Sequence, residues 1–237
     1  MVKRGTRYDT AQALVVEDRE YEPRDAVALA KQTATAKFDE TVELHMRTGA
    51  DPRNSEQMVR GVTVLPHGLG KQVRVAVFTQ GEAVSAAEEA GADFVGGDDL
   101  VKKVQGGWVD FDVSIATPDM MGKVGKLGPI LGRRGLMPNP RAGTVVQPGA
   151  VAGAIDEAKK GRIEFRVDRT SLIHVPIGKA SFEQEQLLDN LTAVVENIVR
   201  ARPSSIKGQY IRSAFLTTTM GPSIAMDVAS TVELKVE

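Results

Sequence analysis

Lys123, Lys126, Arg133, Arg134 and Arg141 fall in one stretch, Met120 to Ile155, that contains no Asp or Glu. Eight glycines and four prolines share its thirty-six positions. Cations projecting from a backbone shaped by Gly and Pro suit a surface that meets a polyanion. A second grouping, Ser213-Ala214-Phe215-Leu216-Thr217-Thr218-Thr219-Met220-Gly221, offers different chemistry. Strand alternation places Ser213, Thr217 and Thr219 on the side of Phe215. Hydroxyls in a row can donate to and accept from ribose 2′-OH groups and phosphate oxygens. An exposed Met220 would pack on a sugar or base, and Gly221 would let a backbone approach closely. The same threonines equally suit any solvated strand.

Two shorter stretches belong with these. In Ala36-Lys37-Phe38-Asp39-Glu40-Thr41-Val42-Glu43, Phe38 is either a core anchor or, if exposed, a packing surface for RNA beside a phosphate-binding Lys37. In Arg162 to Thr170, the alternating cations fit a solvated strand edge or one that tracks phosphates.

Catalytic constellations are missing. A phosphate loop needs a Gly five residues before its Gly-Lys pair and Ser or Thr after it, whereas Gly125-Lys126 has Met120 and Leu127 there. No Gly-x-Gly-x-x-Gly opens the helix after Val73 to Phe78. His45, His67 and His174 are far apart in sequence, without metal-ligand spacing, and read as solvated or hinge histidines. The absence of cysteine removes disulfides and thiolate chemistry. No enzyme, cofactor or metal is expected. A nucleotide-dependent enzyme built on the α/β part is the rival reading, and ATP or NAD binding with turnover would reveal it.

The 237 residues suffice for one large domain or two ordinary ones. Thirty bases stand against thirty-one acids, so any polyanion must be held by local patches rather than by a global field. No apolar run approaches the roughly 20 residues of a membrane span. The basic start, Met1 to Tyr8, leads into no signal-peptide core, and acids soon follow it. A cytoplasmic location is therefore expected.

Positioning these residues requires a particular set of elements. Val73 to Phe78 reads as a buried strand, Glu82 to Ala90 as a helix stopped by Gly91, and Ala92 to Val95 as a short strand. A helix through Gln105, capped by Asp98 or Asp99, a strand at Phe111 to Ile115 and a closing helix at Gly149 to Lys159 follow. Alternation of this kind implies βαβ units and a mostly parallel, Rossmann-like sheet. Outside it, Arg24 to Ala36 reads as a helix and Thr41 to Met46 and Gly61 to Leu65 as strands. Strands at Arg162 to Val167 and Leu172 to Ile177 precede a long helix from Phe182 to Ala201, and strands at Ile211 to Thr218 and Val228 to Val236 end the chain. The expected architecture is a discontinuous α+β domain, residues 1–67 plus 160–237, with an α/β domain inserted at 68–159. The crossings at Pro66, Gly68, Gly70, Lys159 and Gly161 would serve as a hinge.

Taken together, Ala36 to Glu43, Asp51-Pro52-Arg53, Leu65 to Lys71, Glu89 to Asp93, Gly135 to Pro140 and Thr217 to Gly221 resemble one family across nearly the whole chain. It is the L-one family, bacterial large-subunit ribosomal proteins of the lateral stalk near the tRNA exit site. The resemblance implies a first domain that binds large-subunit rRNA through Lys37, Phe38, Thr41, Glu43, Arg166, Asp168, Arg169, Ser213, Thr219, Met220 and Gly221. It further implies a mobile stalk that assists release of exit-site tRNA, and repression of the protein's own mRNA. No membrane partner or homo-oligomer is implied. The basic run, with Lys123, Lys126, Arg133, Arg134 and Arg141, belongs to the second domain and would face tRNA or neighbouring RNA. Arg133 stands where the family usually has Pro, and Val167 and Ser171 replace the Asn and Gly of its turn near Asp168.

Overall fold

A computed structural model describes residues 5–81 and 83–234, with nothing assigned for the side chain of Arg141. In chain order the elements are α1 (Thr6–Gln12), α2 (Pro23–Thr33), β1 (Thr41–Thr48), β2 (Arg60–Val64), β3 (Val75–Phe78) and α3 (Ala83–Glu89). Then come β4 (Phe94–Gly96), α4 (Asp98–Gln105), β5 (Val113–Ala116), α5 (Pro118–Val124), α6 (Gly128–Leu131) and α7 (Val151–Lys159). The chain closes with β6 (Arg162–Arg166), β7 (Leu172–Lys179), α8 (Gln184–Arg200), β8 (Ile211–Thr218), β9 (Ile224–Met226) and α9 (Val228–Val232). Close contacts divide it into two compact units, Met1–Gly70 with Ile163–Glu237, and Lys71–Arg162.

In the first unit an antiparallel sheet runs in the order β7-β1-β8-β9, and β2 pairs with β6 separately. Alternation divides the sheet into two faces. Val42, Leu44 and Met46 of β1 point to the core and are fully buried, as are Ile173, Val175 and Ile177 of β7. Val27 and Ala30 of α2 and Leu187, Leu191, Val194 and Ile198 of α8 join them in that core. Each such large apolar side chain contributes about 1.5–3 kcal/mol by leaving water. A capping box fixes the start of α8, with Glu183 accepting from the backbone of Gln186 and the Gln186 side chain from that of Glu183. The opposite face of the sheet carries Thr41, Glu43, His45 and Arg47 of β1, none of them buried.

Two expectations for this unit need correction. The last strand expected at Val228 to Val236 is absent from residues 228–234. Asp227 accepts from Ser230 N at 2.8 Å and from Ala229 N at 3.4 Å, which caps α9, while the strand beside β8 is the shorter β9. Residues 235 and 236 lie outside the described ones. Second, α2 ends at Thr33 rather than at the expected Ala36. The helix α1, with Ala11 as its one buried residue, has no counterpart among the expected elements.

In the second unit a parallel sheet runs β4-β3-β5, with β3 buried along its whole length. Glu82, expected to open α3, is outside the described residues. The glycine-rich run is the main surprise. It is helical for much of its length, with Met120, Val124, Leu127 and Leu131 fully buried at helical spacing through α5, a 3-10 turn and α6. Packing of that apolar stripe outweighs the roughly 1 kcal/mol that each interior glycine costs. Gly125-Lys126 therefore sits in a helical turn after α5, not in a loop between strand and helix.

Candidate nucleic-acid interface

A single buried carboxylate organises one end of the exposed sheet face. Glu40, 1% exposed, accepts from Ala36 N at 2.8 Å through Oε1 and from Met220 N at 2.9 Å through Oε2. It ties the Lys37-Phe38 segment to the turn after β8. Thr41 N donates to Thr219 Oγ1 at 3.0 Å and Thr219 N donates to Thr41 O at 3.1 Å, so the two segments are laced together. Lys179 Nζ donates to Thr41 Oγ1 at 2.8 Å, and Asp39 accepts from Ser181 N and Oγ. Phe38, 54% exposed, and Met220, 48% exposed, protrude from this scaffold beside an exposed Lys37. Leaving two large apolar side chains in water while their backbones are held firm is what a packing surface for a partner requires.

Gly221 is needed by the fold itself. A Cβ there would lie 2.3 Å from the buried Thr218 Oγ1. This internal constraint differs from the close partner approach expected of it.

The expected site residues gather at two ends of β1. Lys37, Phe38, Thr41, Thr219, Met220 and Gly221 mark its start. Near its other end lie Ser213, opposite Arg47, and the Asp168–Ser171 turn, whose Ser171 O accepts from Thr48 N at 2.8 Å. Seven steps of about 3.4 Å place these ends roughly 24 Å apart. Glu43, opposite Thr217, lies between them. Arg166 and Arg169 are exposed, but Arg166 belongs to β6, outside the four-stranded sheet.

Asp168 is above all a turn-former. It accepts from Thr170 N, Leu172 N and the Thr170 hydroxyl, each at 2.8 Å. Desolvation pushes its carboxyl up, but these hydrogen bonds outweigh that and hold it below the usual carboxylate range. Ser171 adopts a left-handed φ of 66°, a conformation that favours glycine.

The middle of the face holds what sequence spacing missed. Antiparallel register puts His45 opposite His174 on one side and Phe215 on the other. The two Nδ1 atoms are 2.7 Å apart, and His45 Nε2 lies 2.9 Å from Thr217 Oγ1. Burial, and then the charge of His174, lower the His45 pKa, while Glu43 opposes them. Phe215 is 37% exposed beside this pair. The only signal in sequence was their shared parity with Thr41 and Thr217 on paired strands.

The basic group belongs to the second unit, and this face to the first. Lys126, Arg133 and Arg134 are exposed. Lys123 pairs with Asp98 of α4 at 2.5 Å, so the acid missing from its own stretch is supplied by another element. At the first crossing His67 N donates to Asn190 Oδ1 at 3.1 Å, and Asn190 Nδ2 donates to Gly68 O at 3.0 Å. A Cβ on Gly70 would meet Phe182 at 2.7 Å. Pro66 to Gly70 thus follow the first unit. At the second crossing Lys159 ends α7, Gly161 takes a φ of 94°, and Arg162 pairs with Glu157 at 2.5 Å. Among the described residues no group of three or more His, Asp or Glu side chains could hold a metal ion, and no helix is long and apolar enough to cross a membrane.

A model of the ribosomal protein L1p/L10e family matches residues 30–222. The chain belongs to this family. The match runs from within α2, through both units, to the turn after β8, so it covers β7, β1 and β8. Among similar proteins, the large ribosomal subunit protein uL1 of Dehalococcoides mccartyi strain 195 is 58% identical over 228 residues, 96% of each chain. The protein of the same name from Thermomicrobium roseum is 54% identical over 234 residues, 98% of this chain and 97% of its own. Members from such separate bacteria therefore align with this chain almost end to end.

Proposed function

We propose that this protein is a structural constituent of the large ribosomal subunit that binds large-subunit rRNA through the outer face of β7-β1-β8. The observation that carries the reading is the scaffold around Glu40, which holds exposed Phe38 and Met220 beside Lys37, Thr41 and Thr219. Hydroxyls, two apolar tips and few cations suit folded RNA read by shape, 2′-OH and phosphate. Family membership and the names of the bacterial relatives support the same assignment. In this reading residues 1–67 with 160–237 form the rRNA-binding domain, and residues 68–159 form an inserted arm that assists exit-site tRNA release. Pro66, Gly68, Gly70, Lys159 and Gly161 form the hinge. The rRNA face would also bind an rRNA-like element of the protein's own mRNA and repress it.

Met220→Ala and Thr219→Val test the site in a binding titration with a large-subunit rRNA transcript. Each is expected to weaken binding by about 1–3 kcal/mol, the scale of one good specific contact. Because Thr219 Oγ1 also receives Thr41 N, thermal melting is measured alongside and Thr219→Ser serves as the rescue. Wild-type affinity in both variants would remove this surface from the site.

A further inference from the structure

His45 and His174 stand at the centre of the face, between the two groups of expected contacts, and the function proposed above gives them no role. Proton counting defines what they can do. A neutral pair carries one N–H on each ring. At an Nδ1–Nδ1 distance of 2.7 Å one nitrogen donates and the other accepts. Both tautomers satisfy the second contact, because Thr217 Oγ1 can donate to His45 Nε2 or accept from it. A third proton on the pair leaves the shared contact intact and creates one positive charge. A fourth would put a proton on each Nδ1, and the contact would break.

Carboxylates and cations both face the pair. Glu43 Oε2 lies 3.7 Å from His45 Nε2, and Asp168 Oδ2 lies 3.9 Å from His174 Nε2. On β1 the next outward residue beyond His45 is Arg47, which opposes a cation, and at the end of β7 Lys179 is held on Thr41. β8 contributes Phe215, Thr217 and Ser213, none of which titrates in this range. The outer edge is open, with 47% of the His174 side chain exposed.

We propose that His45 and His174 form a proton-accepting contact for an RNA phosphate, so that binding draws one proton onto the pair. This rests on the rRNA reading above and adds to it a binding element and a pH dependence. The bound phosphate supplies the negative charge that the half-exposed carboxylates provide only in part. Affinity then rises on acidification through the ordinary histidine range.

The chain has only three histidines, so attribution is direct. His67, bonded to Asp189 at 2.8 Å away from this face, is the internal control. Dissociation constants for a large-subunit rRNA transcript are measured at about pH 8 and about pH 6, which bracket the ordinary histidine value of about 6.5. Uptake of one proton limits the change to about tenfold per pH unit, and tightening of about fivefold or more is expected. His45→Gln and His174→Gln should flatten the profile, and His67→Gln should keep it. Imidazole proton resonances of the wild-type protein, titrated with and without the RNA, give a readout that needs no variant; bound RNA should move the titration of the pair upward and not that of His67. A flat wild-type profile, or one that follows His67, overturns the inference while rRNA binding stands. Absence of rRNA binding at either pH sinks the rRNA reading and this inference together.

Discussion

Glu40 shows how one side chain can govern a surface it does not join. Its carboxylate is inaccessible, yet it receives the backbone N–H groups of Ala36 and Met220 from segments separated by most of the chain. Replacing it with Gln turns one acceptor into a donor that faces an N–H. A buried donor left without a partner costs about 1–3 kcal/mol. Glu40→Gln should therefore lower stability by that amount in urea denaturation and also weaken rRNA binding, because Phe38 and Met220 lose their common mount. Unchanged affinity with lowered stability would show that the mount does not matter for binding. Sequence reading singled out Phe38 and Met220 but passed over Glu40. Acids between a helix and a strand are ordinarily solvated, and only the fold brings the backbone of Met220 to this one.

At the scale of elements, the turn between β6 and β7 is held by Asp168. Its carboxyl is held below the usual range on folding, so the sign of its linkage is defined. Its contribution is present above the unfolded value of about 3.9 and is lost as pH falls through the lower folded value. Asp168→Asn should therefore cost stability on the order of 1 kcal/mol at neutral pH. The wild type and the variant should converge in urea midpoint as pH falls below about 4. A constant gap across that range would mean that charge is not what Asp168 contributes. Periodicity located β3, β8 and α8 closely, because alternation and capping are local properties. It misplaced the last strand because Asp227 is followed by Val228, Thr231 and Val232, whose β-propensity competes with an N-cap, and the cap prevails. It took the Met120 to Leu131 segment for a Gly-shaped backbone. There the apolar stripe that makes it helical is interrupted by three glycines, and a core decides the matter.

For the whole molecule, the chain is nearly neutral, and its acid-free basic run lies in a unit other than the one with the exposed hydroxyl face. Binding by that face should depend only modestly on salt, corresponding to a few phosphates rather than roughly ten. A steep slope in a salt titration would contradict this. Neutralising Lys123, Lys126, Arg133, Arg134 and Arg141 together should leave rRNA affinity within about twofold, as expected of charges away from the binding face, and impair tRNA release from ribosomes carrying the variant. Collapse of rRNA binding would show that the labour is not divided between the units. The sequence by itself determined the family, the order of most elements and the absence of any assembled phosphate loop, since each of these is written in spacing along the chain. Tertiary structure decided the rest. The pairing of His45 with His174, the reach of Glu40 to Met220 and the neutralisation of Lys123 by Asp98 join residues distant in sequence. Their meeting depends on strand register and helix packing, which no local pattern records.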